Sequence, residues 1–151
     1  MSDTFAREAA VKVLKGAASA LRHETALTAA QARDRRVRAS QAEGWWEELQ
    51  ARVDGAVAAF NEATGGVVPP VRVVRSSPAR VAVMAAEDRT LTVGRAEDAV
   101  QVTERSPRGA SAAWIAVGVA AEEDVLTPTP PELAERILTP WLSSLTTGGA
   151  R

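Results

Sequence analysis

The sequence predicts an α+β fold, a two-layer domain with two N-terminal helices, an antiparallel β-meander of 4–5 strands and a C-terminal helix. Three observations predict it. Apolar residues recur at spacings of three and four as far as Phe60, and from Val71 to Val119 they alternate with other residues. The links between the alternating runs are too short for parallel crossovers.

The first helix is expected over residues 3 to 38, with Ser2 or Asp3 as its cap. Val11, Leu14, Ala18 and Leu21 line one side of it as a narrow, alanine-rich stripe that permits close approach of another helix. Arg33-Asp34-Arg35-Arg36-Val37-Arg38 has almost no apolar content. Four arginines in six residues would suit a phosphate-binding patch, but the run reads as a solvated helix face or connector, and Asp34 and the nearby acids blunt its positive field. Ser40-Gln41-Ala42-Glu43 fits the capping-box pattern, so a second, separate helix is expected to start there. Trp46, Leu49, Val53, Val57 and Phe60 share a narrow arc at about 100° per residue, with Trp45 at its rim. Gly65-Gly66 ends this helix, the first glycine being suited to the left-handed position after it.

Strands follow at Val71-Arg72-Val73, Arg80 to Val83, Thr90 to Val93, Val100 to Thr103 and Trp114 to Val119. The last is the most apolar and is expected at the centre of the sheet, with Ile115 and Val117 buried. The links are Ser76-Ser77-Pro78, Glu87-Asp88-Arg89, Gly94 to Asp98 and Ser106 to Gly109, which connect antiparallel neighbours. Thr129-Pro130-Pro131-Glu132 then opens the final helix with a cap, a proline at the first helical position and a glutamate at the third. Leu133, Ile137, Leu138, Trp141, Leu142 and Leu145 form its apolar side. Pro140 is expected to kink or restart it after Leu138, and Thr146 to Arg151 reads as a frayed tail.

A straight helix over residues 3 to 38 would be about 54 Å long, whereas a compact domain of this size is only about 40 Å across. It must overhang, break near Gly16 or between His23 and Thr25, or rest on something else. The chain therefore divides into a helical arm, 1–38, and an α+β domain, 39–151.

Composition narrows the function. There is no cysteine and no tyrosine, and the lysines are Lys12 and Lys15 alone, so thiol chemistry and thiolate metal sites are excluded. His23 is the single histidine, with only Glu24 beside it, which leaves no triad and no histidine-rich metal site. Glu87-Asp88, Glu97-Asp98 and Glu122-Glu123-Asp124 would hold a hard cation only if their turns met at one end of the sheet. No phosphate-loop, dinucleotide or nucleophile-elbow motif is present. No catalytic, cofactor-binding or metal-binding residue is therefore assigned, and no cofactor is expected. A net charge of −1 gives no overall attraction to nucleic acid or to an anionic membrane, and no partner of either kind is expected. The arginine- and alanine-rich usage reads as that of a GC-rich bacterial genome. With no signal-like start and no long apolar run, a cytoplasmic location is expected.

These observations point to a non-catalytic interaction module, a subunit, adaptor or chaperone-like partner in a cytoplasmic assembly. Its expected contacts with a protein partner or a second copy are Val11, Leu14, Ala18, Leu21 and Trp45. The alternative is a ligand-responsive or catalytic domain that binds a small anion through Arg72, Arg80, Arg95, Arg105 and Arg108.

Overall fold

No proline occurs before Pro69, and the computed structural model, which describes residues 2–148, shows what that permits. Helix α1 runs without interruption over Ser2–Thr64, 63 residues or about 95 Å of helix. The two helices expected on either side of residue 39 are thus one. Ser2 and Asp3 lie within the helix, and neither Gly16 nor the His23 to Thr25 stretch breaks it. The Thr25 and Thr28 hydroxyls donate instead to the Leu21 and Glu24 carbonyls one turn back.

The capping box does not form, and its residues show why. Ser40 Oγ donates to the Val37 carbonyl at 3.1 Å, and the Glu43 carboxylate accepts from Arg95 at 2.7 Å. A cap has value only where backbone N–H groups lack partners. Residues 33–39 contain no Pro or Gly, and Arg38 pairs with Asp34 one turn earlier at 2.7 Å. The helix arrives at Ser40 already formed, so its donors are taken. Gly65, at φ 54°, ends α1 as expected, and its N–H bonds to the Asn61 carbonyl.

Strands β1 (Arg72–Ser77), β2 (Arg80–Ala86), β3 (Arg89–Arg95), β4 (Ala99–Ser106) and β5 (Gly109–Ala116) form one antiparallel sheet in sequence order. The expected meander is present. Short β6 (Gly118–Val119) and β7 (Leu126–Thr127) pair separately, and α2 (Pro130–Gly148) closes the chain. The tail expected over Thr146–Arg151 begins inside α2, and residues 149–151 lie outside the described residues.

Register shows which side chains share a face. Val81, Val83, Leu91, Val93 and Val100 point to one side and are buried. There they join Trp46, Leu49, Val53 and Val57 of α1 with Leu133, Ala134, Ile137, Leu138, Trp141 and Leu145 of α2 in a single core. Val117 is buried, whereas Val102, Ile115 and Phe60 are only half-buried. The segment expected at the centre of the sheet is instead its edge. β5 is paired on one side alone, and Trp114 is 63% exposed on the face away from the helices. Apolar content misled here because Ser111, Ala113 and Ile115 share the core face but the first two are exposed, and cover begins only at Ile115 and, beyond the strand, Val117.

Polar ties hold the ends of the helix–sheet contact. Trp46 donates its indole N–H to the Pro78 carbonyl at 2.8 Å. Asn61 pairs with Val71 in both directions, accepting from its N–H at 2.8 Å and donating to its carbonyl at 2.9 Å. At the start of α2, Glu132 reaches back to the Thr129 N–H at 3.4 Å. The expected restart at Pro140 is absent, and the helix runs through it. Pro140 and Arg136, whose carbonyl loses its donor, are both exposed to water.

Replacing Trp46 by Ala should cost about 3–5 kcal/mol in urea unfolding, because a large buried ring is removed from a closed core. Ser40→Ala should leave stability within about 0.5 kcal/mol or raise it slightly, since alanine suits a helix interior. A loss of about 1 kcal/mol would mark Ser40 as a cap after all.

Candidate functional site

Every described side chain from Asp3 to Ala32 is exposed. The first contact with the domain comes at Arg33, which bonds to the Ala121 carbonyl and the Asp124 carboxylate, and the first buried residue of α1 is Val37. The free part of the arm therefore ends at Ala32, and the segment up to residue 38 is docked. From Asp3 to Ala32 the helix projects about 45 Å beyond the domain. Ten alanines among these residues favour helix without help from packing.

Val11, Leu14, Ala18 and Leu21 do fall on one strip of this arm. Leu14 is 68% and Leu21 64% exposed. The apolar surface is wider than the stripe legible in the sequence. From Ala6 to Leu21, an arc of about 200° contains only alanine, valine and leucine apart from Arg7. Val13, 70% exposed, lies on its flank. Glu8, Lys12, Lys15 and Ser19 occupy the opposite side. Phe5 and Leu27 are exposed as well. The sequence pattern alone missed Val13, Phe5 and Leu27, because a helix packed on its own domain would have hidden part of this circumference.

Trp45 is not part of this surface. It lies about 36 Å further along α1 than Leu21, is buried, and donates its indole N–H to the Pro128 carbonyl at 2.9 Å. It belongs to the joint where the arm meets the domain. Here Gln41 donates to the Asp124 carbonyl and accepts from the Leu126 N–H, while Arg33 bonds to the Ala121 carbonyl and the Asp124 carboxylate. Three residues of α1, Arg33, Gln41 and Trp45, thus grip the segment between β5 and α2. The arm's direction is set by the domain.

The remaining candidates do not assemble into a reactive centre. His23 sits exposed in mid-arm. Glu87-Asp88 and Glu97-Asp98 occupy turns at opposite ends of the sheet, as the register of β2, β3 and β4 requires. Among the described residues, no three acidic or histidine side chains converge to hold a metal ion. The strand arginines are dispersed. Arg80 borders a depression of about 210 Å³ with Thr92 and Gln101, and Arg105 and Arg108 border another of about 340 Å³ beside Trp141. Arg95 lies at a third, of about 320 Å³, where Glu43 holds it. Arg72 lines none of these. In the arginine run, Arg33 and Arg38 are both engaged by acids. No helix among the described residues is long and apolar enough to cross a membrane.

Comparison with known proteins gives no match: no family model, no curated protein and no solved structure resembles the chain significantly.

Backbone amides between Asp3 and Ala32 are expected to exchange with deuterium much faster than those between Trp45 and Phe60. The arm opens locally, whereas the second stretch opens only with the core. Equal protection of both stretches in the isolated chain would show that something already covers the arm.

Proposed function

We propose that this protein is a non-catalytic interaction module, a subunit, adaptor or chaperone-like partner in a cytoplasmic protein assembly, and that the arm is its principal contact. The observation that carries this reading is the uninterrupted exposure of residues 3–32 on a helix whose apolar arc has no cover among the described residues. Scattered surface leucines need no explanation, but a continuous apolar strip does. An arc of about 200° is roughly twice what the seam with a single partner helix needs. The arm therefore suits a groove between two helices of the partner, with its alanines allowing close approach and Lys12 and Lys15 left in water.

Removal of residues 1–32 tests this. The shortened chain keeps Arg33, Val37 and the whole core, so its unfolding midpoint should stay within a few degrees of the intact protein. It should also lose the assembly recovered by affinity purification of the intact chain. The paired substitution Leu14→Glu, Leu21→Glu should weaken that association about 10-fold or more while leaving stability within about 0.5 kcal/mol. Unfolding of the shortened chain, or association that survives both changes, would overturn the assignment.

A further inference from the structure

The two edges of the sheet are not alike. β1 carries Arg72 and Arg75 within the strand, its register with β2 shifts between Arg75 and Ser77, and Arg75 is tied to Gln50 and Asp54 of α1. Charges and irregular register are what normally keep an edge from pairing with another chain. β5, Gly-Ala-Ser-Ala-Ala-Trp-Ile-Ala, has no charge and no proline, and its register with β4 is unbroken over eight residue pairs. Its residues are exposed on both faces as far as Trp114. The helices that cover the core side of the neighbouring strands do not extend over Ser111 and Ala113, so a further strand has room beside them.

We propose that β5 pairs antiparallel with β5 of a second copy of this chain about a two-fold axis at Ala112, joining two sheets into one of ten strands. Charge selects this occupant and this direction. Arg108 stands in the turn at one end of β5. At the other end Asp98 is held against the strand by the bond from the Val117 N–H to its carbonyl at 2.8 Å. Among the described residues, neither Arg108 nor Asp98 forms an ion pair within the chain. Antiparallel pairing sets Arg108 of each copy about two strand spacings, or about 10 Å, from Asp98 of the other, within the combined reach of the two side chains. Glu97 lies next to it. Parallel pairing would place Arg108 beside Arg108 and bring neither within reach of an Asp98 of the other copy. Because β1 is guarded, the assembly closes at two copies rather than growing into a fibre. This inference is independent of what the arm binds.

Sedimentation equilibrium on the full chain tests it. The intact protein should show twice the 15.9 kDa of one chain. Ala112→Lys sets a lysine against its own copy at the axis and should give the single-chain mass with an unchanged circular dichroism spectrum. Arg108→Asp and Asp98→Arg should each weaken the dimer about 10-fold, and the two together should restore it. Leu14→Glu, Leu21→Glu should leave the dimer mass unaltered. A single-chain mass for the intact protein up to its solubility limit, a dimer that survives Ala112→Lys, a dimer lost with the arm substitutions, or failure of the double exchange to restore pairing would each overturn the proposal.

Discussion

Trp46, Leu49, Val53 and Val57 form a single ridge along α1, and the rest of the domain is arranged around it. The valines and Leu91 of β2, β3 and β4 close over it from the sheet, and α2 packs alongside with Leu133, Leu138 and Trp141. The contact is apolar and non-directional, so by itself it would tolerate sliding. Trp46 and Asn61 remove that freedom. Their bonds to the Pro78 carbonyl and to Val71 tie the β1–β2 turn and the start of β1 to fixed positions on the helix.

The same helix transmits the domain's orientation to the arm. The joint around Gln41, Trp45 and Arg33 is rich in hydrogen bonds, but its ion pair is not what gives the arm its direction. Arg33 and Asp124 are 36% and 59% exposed, where solvent screens such a pair to little net stability. Stiffness comes from the unbroken backbone ladder between Ala32 and Val37. A break at residue 39 would have produced a hinge, with an arm free to fold back on its own domain. Continuity instead holds the apolar arc away from the described surface of the domain.

The chemistry available to the molecule follows the same division. Its acids and strand arginines are distributed over separate turns and depressions, and among the described residues no three acidic or histidine side chains converge on one point. Two stretches of its surface have no cover among the described residues: the arc on the arm and the outer edge of β5. Under the proposed function and the inferred dimer both are covered by polypeptide, the arc through apolar contact and the edge through backbone donors and acceptors.

Local sequence determined most of the elements. Alternation and short links carried the five antiparallel strands, Gly65 carried the end of α1, and Thr129 to Glu132 carried the start of α2, because each depends on residues within a few positions of one another. The stripe from Trp46 to Val57 was legible for the same reason, as was the strip from Val11 to Leu21. Tertiary structure decided what local signals leave open. Ser40 and Glu43 match a capping box equally well inside a continuous helix, and only the state of the preceding turn determines whether the cap forms. Trp45 at the rim of a stripe fits an outer contact or an inner one until the segment ending in Pro128 is placed beside it. The apolar end of β5 suits a central strand or an edge, and the choice rests on where the chain goes after Val117. In each case the deciding partner is distant in sequence, and burial is a property of the pair.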